Sequence, residues 1–446
     1  MSGSTVIDDQ PIEIAIVGGG IIGVIVALGL IKRGINVKIY EQARSLREIG
    51  AGLAFTANAI RCMGHINPDI VTCLRAVATS NGDADNPNDW LQWVDGYKQH
   101  NPDDESDEKL LFKLDTGYRG FEGCHRAHFL DKLQEVVPAN VIHFSKRLES
   151  LSEPSEDGKV LLGFGDGTTA EADAVIGCDG IKSRVRTFLL EKDNPQSYAH
   201  YTNKVCYRGL IPMDKAIEKL GEYKARNQHM HLGPKAHIVH FPVAGQTLVN
   251  VAAFASDPND WPSVDTIVAP ATRADVEEVF ADWGPIVRNI THLLPDTLDK
   301  WAIFDMYDHP APAYNRGRIC IAGDAAHASA PHHGAGAGIG VEDALCLSTA
   351  LNLAAKAVQD KTKTKSQALK LALETFNTVR IERSQWLVNS SRTVCEVYEW
   401  ADPECGDDTD KCFAEIKWRS HKIWNFDIDG MLKDTADDYH KRITSV

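Results

Sequence analysis

Three glycines, Gly18, Gly20 and Gly23, stand in G-x-G-x-x-G spacing between the apolar runs IAIV and IIGVIVALGLI. That spacing suits a strand-to-helix turn that cradles a pyrophosphate. The first glycine permits the bend, the second lets backbone approach the phosphates, and the third lets helix pack on strand. The helix start then offers its unpaired N–H groups to the anion. A second strand, INVKIY, follows and ends in Glu41. An acid about 20 positions beyond such glycines can hold a ribose hydroxyl.

A second chemistry-bearing stretch is AGDAAHASAPHHGAGAGIG, Ala322 to Gly340. Its Asp324 ends an apolar strand, and a glycine run, Gly334, Gly336, Gly338 and Gly340, opens a helix expected at about Ile339, which repeats the strand end, acid and amide-rich helix start of the first motif. His327, His332 and His333 invite a metal reading, but their spacing beside Pro331, without a nearby cysteine or carboxylate set, argues against one. Between these motifs lie Asp179-Gly180, with Ser183, Arg184 and Arg186 after them, and Arg208 inside an otherwise apolar strand, KVCYRGLIPM. A charge there must be paired or face a cavity, because an isolated buried ion is too costly. Pairing with a structural carboxylate and contact with a ligand are both open to it.

The elements that must position these residues follow from pattern. The uncharged stretch from Ile14 to Ile31 is 18 residues long, the lower length of a membrane span. Its five glycines and the stop at Lys32-Arg33-Gly34 favour a packed soluble helix instead. At 446 residues, 43% hydrophobic and 24% charged, the chain has room for two or three globular domains. A net charge of −15 argues against nucleic acid or an anionic membrane as partner. The ten cysteines form no C-x-x-C pair and read as reduced, buried hydrophobes. The N-terminal MSGSTVIDDQ lacks a basic region and apolar core, so no secretory signal is expected and a cytoplasmic location is.

Along the chain, Ser80 to Glu108 is rich in Asn, Asp and Pro and reads as surface loops around a short strand, LQWVDGY. Arg119, Glu122, His125 and Arg126 precede a helical stretch, AHFLDKLQEVV, and Gly165-Asp166-Gly167 suits a hairpin turn. From Val205 to Ser256 strands follow one another without long helices, the pattern of a mainly antiparallel sheet. The remainder from Ala354 reads as helices broken at QDKTKTKSQ, with Trp386, Tyr398, Trp400, Trp418 and Trp424 packing them. The expected architecture is α/β: a Rossmann-like nucleotide-binding domain discontinuous over 11–80, 110–200 and 300–350, a mainly antiparallel substrate domain over 201–299 with loop 81–109 nearby, and a C-terminal helical region over 351–446.

GGGIIG with Glu41, CDGIKSRVR at Cys178 to Arg186, and AGDAAHASAPHHGAGAG occur in the order and spacing that resemble the class A flavoprotein aromatic hydroxylases, over roughly residues 11 to 350. That resemblance implies FAD as cofactor, NAD(P)H and O₂ as co-substrates, and a small phenolic substrate. Gly18, Gly20 and Gly23 would hold the pyrophosphate, Glu41 the adenosine ribose, Arg126 the cofactor, and Asp324 its ribityl and pyrophosphate region. Gly336 and Ala337 would aim N–H groups at the pyrimidine side of the flavin, and Ala54 would line its other edge; Asp179 is associated with both FAD and NAD(P)H.

REIGAGLAFTANAIRCM, RGFEGC, YRGLI, PHHGAGA and SHKIWNFD resemble more closely the fungal monooxygenases that dearomatise phenols in tropolone, sorbicillinoid and azaphilone pathways. This implies that Arg208 binds a phenolate and that Tyr118 and Phe241 set the substrate's pose. Some relatives carry tyrosine at the position of Phe241; a hydroxyl lost there and supplied by Tyr118 would turn the substrate over. The expected activity is hydroxylation of a resorcinol-like phenol through a C4a-hydroperoxyflavin, with dearomatisation to a hydroxy-dienone in fungal polyketide biosynthesis. Ordinary salicylate-type hydroxylation, and an FAD-dependent reductase or oxidase without oxygen insertion, are the alternatives. Monomer and homodimer are both open.

Overall fold

The computed structural model describes residues 11–445, apart from 47–51, 87, 100, 102–103, 105–107, 117–121, 154, 156–157 and 263–265. At its centre is a six-stranded sheet in the order Asn315–Arg316, Ile319–Ile321, Ala174–Gly177, Glu13–Val17, Asn36–Tyr40, Ile142–His143. Its strands run parallel except for the Asn315–Arg316 edge. The register pairs Val17 with Gly177 and Gly177 with Ile321, so three strands that lie far apart in sequence end side by side. The ladder continues past them, with Cys178 N–H donating to Val17 O at 2.7 Å and Ala322 N–H to Gly177 O at 2.9 Å. Parallel pairing thereby gathers the three sequence motifs at one edge, the usual ligand side of such a sheet.

The helix Ile21–Lys32 that follows the glycine turn is only 12 residues long. Val24, Ile25, Val26 and Ala27 are all fully buried. Its lack of charge reflects a position inside the protein, between the sheet and the helices Gly336–Gln359 and Ala57–Ile66. No helix among the described residues is long and apolar enough to cross a membrane.

The second large layer is an eight-stranded sheet, ordered Val268–Thr272, Thr297–Asp305, His200–Pro212, Leu248–Ser256, Ala236–Val243, His229–Gly233, Asp89–Asp95, Leu110–Asp115. It is antiparallel except where His229–Gly233 meets Asp89–Asp95. The stretch read as a strand between loops therefore joins this sheet. A small sheet of Gly52–Ala54, Glu122–His125 and Thr79–Ser80 lies near it. There Gly52 N–H donates to Asn250 Oδ1 of the large sheet at 3.2 Å. Phe164 N–H closes the expected hairpin on Thr168 O, with Gly167 at φ +80° in the turn.

Helices Gly336–Gln359, Lys365–Tyr398, Thr409–Trp424 and Ile428–Ser445 complete the molecule. The first begins three residues before the expected Ile339, because the turn Pro331–His333 and Gly334, at φ +61°, already reverse the chain. A charged network fastens this layer. Arg380, fully buried, meets Glu342 at 2.8 Å and Asp343 at 2.9 Å, and Asp343 also accepts from Gly323 N–H at 3.0 Å and contacts His327 at 2.5 Å. Burial alone would push the Asp343 carboxyl up, but His327 and Arg380 outweigh it and hold it below the ordinary value.

Candidate active site

The glycine turn is built as its chemistry requires. Gly18 has φ +102°, and a Cβ on it would lie 2.4 Å from Cys178 O. A Cβ on Gly23 would lie 2.1 Å from Gly18 O, so the helix can approach the turn only at a glycine. Gly20 caps the helix start and faces a cavity. Glu41 directly follows the strand Asn36–Tyr40, with Oε2 accepting from Gly19 N–H at 2.7 Å and Oε1 from Ala43 N–H at 2.7 Å. The acid thus steadies the turn beside which the sequence expected a ribose.

Asp179 is similarly engaged. Its carboxylate accepts from the Ser183 hydroxyl and from the N–H groups of Arg184 at 2.7 Å and Val185 at 3.1 Å, which caps the helix Arg184–Leu190. Arg186, one turn on and fully buried, donates to Ala325 O at 3.1 Å and Ala326 O at 2.8 Å. The second motif thereby fixes the short helix Asp324–His327 of the third. Asp324 opens that helix with an exposed side chain and lines the cavity.

That cavity, about 630 Å³, lies between the parallel sheet and the large antiparallel sheet. One wall carries Gly20, Ala54, Arg126 and Asp324, with Gly336 and Ala337 at the start of the long helix, where the first N–H groups have no intrahelical partner. Arg126 is the first residue of the helix Arg126–Val136. The opposite wall carries Arg208, Phe241, Asn250, Phe254 and Trp301, with Leu91, Trp93 and Met230 making it apolar. Eight of the twelve positions expected to do chemistry therefore line one cavity: Gly20, Ala54, Arg126, Arg208, Phe241, Asp324, Gly336 and Ala337. Gly18, Gly23 and Glu41 shape the turn behind it, and Tyr118 lies outside the described residues.

Arg208 pairs in register with Ala252 on one side and Asp299 on the other. No ion pair to it occurs among the described residues, and its buried Nε has no hydrogen-bond partner. Its guanidinium lies 5.2 Å from the Trp301 ring centroid. Arg208 also borders a more open groove with Pro270, Asp299 and Trp301, so it stands where the cavity meets the exterior. A cation without an anionic partner is a ready receptor for one.

Phe241, 7% exposed, presses on Gly52, where a Cβ would stand 2.8 Å from its Cε2. The glycine at 52 is thus required by the aromatic ring opposite. A further part of the wall was not legible in the sequence. His332 lines the cavity, and behind it are His237, Glu399 and Lys204. His327, by contrast, belongs to the Asp343 network. The signal available was two adjacent acids, Glu342 and Asp343, in an apolar helix, which must find buried partners.

Known proteins agree with this architecture. Residues 127–370 match the FAD binding domain family. The chain is 51% identical over 436 residues to the FAD-dependent monooxygenase pigN of Monascus ruber, covering 98% of both chains. It is 51% identical over 444 residues to the salicylate hydroxylase asL1 of Sarocladium schorii, covering 97% of this chain and 92% of that one. A solved salicylate hydroxylase substrate complex superposes with a TM-score of 0.83 at 31% identity, covering 96% of this chain and 98% of the other. With its three motifs converging on one cavity and these relatives spanning its length, the chain belongs to the class A aromatic hydroxylases and is an FAD-dependent monooxygenase, an oxidoreductase.

Proposed function

We propose that the enzyme hydroxylates a resorcinol-like phenol at the expense of NAD(P)H and O₂, with dearomatisation to a hydroxy-dienone where the attacked carbon carries an alkyl group. The observation that carries this reading is Arg208, a cation that forms no ion pair among the described residues, in the wall of the cavity that the flavin motifs also line. FAD, when bound, supplies the redox and oxygen chemistry. The chain's residues fit it: Gly18 and Gly23 let the turn, the helix and Cys178 pack at distances no Cβ would allow, which leaves Gly20 backbone facing the cavity, and the start of the helix Gly336–Gln359 turns N–H groups toward it. In this reading Gly18, Gly20 and Gly23 take the pyrophosphate and Glu41 the ribose. Arg126 and Asp324 bind along the cofactor, while Ala54, Gly336 and Ala337 bracket its ring. The domain division at about 200, 300 and 350 is part of the same proposal.

Arg208 acts on the substrate. A phenol ordinarily ionises near pH 10, and a fixed cation beside it favours the phenolate at lower pH (about 10 for tyrosine). The phenolate is the more electron-rich ring and is held by the guanidinium facing the oxidant. Phe241 and Tyr118 set which face of the ring is presented. The apolar wall of Leu91, Trp93, Met230 and Phe254 keeps water from the reacting atoms. When the attacked carbon bears hydrogen, that proton leaves and an ordinary hydroxylated arene forms. When it bears carbon, no proton can leave and aromaticity is not restored.

The test is incubation with a panel of alkylated resorcinol aldehydes, NAD(P)H and isotopically heavy dioxygen, followed by mass spectrometry and chiral separation. One heavy oxygen in a dienone product supports the proposal. Heavy oxygen only in an aromatic product selects ordinary hydroxylation, and oxidation of NAD(P)H without label in any product selects a reductase or oxidase.

A further inference from the structure

Three elements converge behind the cavity on side chains that the oxygen-transfer reading does not use. His237 comes from the strand Ala236–Val243, His332 from the turn Pro331–His333, and Cys395 from the helix Lys365–Tyr398. All are buried, and one ligand atom from each lies within 4.8 Å of the others. His237 Nδ1 is held by Glu399 Oε1 at 3.1 Å, which orients the ring and turns Nε2 toward His332 Nδ1 at 3.4 Å. A carboxylate behind one imidazole nitrogen is the usual support for a metal-ligating histidine.

The spacing discriminates between a hydrogen bond and a shared ion. Nitrogen donors and acceptors in a good hydrogen bond approach about 2.7–3.2 Å. Two zinc–nitrogen bonds of about 2.05 Å at the tetrahedral angle place their nitrogens about 3.3 Å apart, close to the distance found. A zinc thiolate of about 2.3 Å puts sulfur about 3.6 Å from each nitrogen, so Cys395 must shift by roughly 1.2 Å at most, within reach of a rotamer adjustment.

We propose that His237, His332 and Cys395 form a site for a zinc-class divalent cation in the cavity wall. Imidazole and thiolate donors select zinc over the oxygen-seeking magnesium and calcium. His332 lines the cavity and gives the ion its way in. The surrounding charges are Glu399 and Glu396 on the same helix as Cys395, opposed by Lys204 from the strand His200–Pro212, which contacts Glu399 and lies 3.5 Å from Glu396. Tyr398 and His333 also face the cluster. Cys395 Sγ donates to Glu399 Oε1 at 3.4 Å, and a bound ion would take the place of that proton.

The experiment uses untagged, FAD-loaded enzyme freed of metals by a chelator and titrated with cobalt(II). The expected result is one cobalt per chain, a thiolate-to-cobalt charge-transfer band, tetrahedral bands at longer wavelength than the flavin's, and their loss when zinc is added. Cys395→Ser should keep the flavin spectrum and circular dichroism but lose the charge-transfer band. Should that variant fail to fold, His332→Gln is read the same way, losing the tetrahedral bands. Absence of stoichiometric uptake, an octahedral cobalt spectrum, or an unchanged spectrum in the folded variant overturns the site and leaves a histidine pair that only shares protons. No readout depends on turnover, so failure here is separate from failure of the proposed reaction.

Discussion

At the scale of single residues, Arg208 and the glycines make opposite demands on the chain. Arg208 matters for a charge that no ion pair satisfies among the described residues, and Arg208→Ala should retain yellow FAD while product formation falls about 10²–10³-fold, the usual cost of removing an electrostatic contact to the reacting group. Product quantified per bound flavin checks this, and normal turnover would remove the phenolate role. Gly18 matters for a side chain it lacks. At φ +102° and with Cys178 O 2.4 Å from any Cβ, Gly18→Ala should lower both thermal midpoint and flavin content, measured by thermal denaturation and absorbance of the purified protein. Phe241→Tyr combined with Tyr118→Phe should alter the enantiomeric ratio or the rate; chiral analysis showing neither would separate these rings from pose control.

At the scale of elements, the long helix Gly336–Gln359 is held against Lys365–Tyr398 by Arg380, Glu342 and Asp343, and the same Asp343 fixes Gly323 beside Asp324. Removing Arg380 takes a buried counter-charge from both carboxylates and leaves Asp343 to His327 and Glu342 to Arg383. Arg380→Met should cost about 3–5 kcal/mol, read from the denaturant midpoint and slope. A loss below about 1 kcal/mol would mean that the carboxylates find other partners or become protonated. The acids were visible in sequence, but not their partner. Arg380 lies 37 positions from Asp343, on another helix, and helical periodicity relates only residues on one helix face.

Across the whole molecule, buried histidines whose protonation burial opposes, His229, His240 and His333, make stability depend on pH. His231 Nε2 and His240 Nδ1 lie 3.0 Å apart, and His240 stacks on His229 with ring centroids 5.1 Å apart. Burial holds His229 well below its ordinary value and brings His240, like the more distant His333, down to about 3. The unfolded chain takes up protons at the ordinary value, about 6.5. Folded-state pKa values below the unfolded value mean that this stability is fully present above about pH 6.5 and is lost as pH falls toward 3. Thermal midpoints should therefore stay roughly level from about pH 7.5 to 6.5 and fall from there to about pH 4.5, and a profile flat throughout would show that the histidines reach protons without unfolding.

The sequence by itself determined what is local. The glycine turn, the strand before Glu41, the hairpin after Phe164 and the helix after His125 follow from spacing, turn chemistry and periodicity, which act over a few residues. The order of the three motifs also carried the resemblance to the flavin hydroxylases. Only tertiary structure decided what those motifs do together. The register of Val17, Gly177 and Ile321 brings their loops to one edge; Arg208 forms no ion pair among the described residues although Asp299 lies opposite it; His237 and Cys395 meet His332 from other elements. Each outcome depends on contacts between residues tens to hundreds of positions apart. Such contacts are selected by burial and strand pairing in the folded chain, for which no local pattern exists.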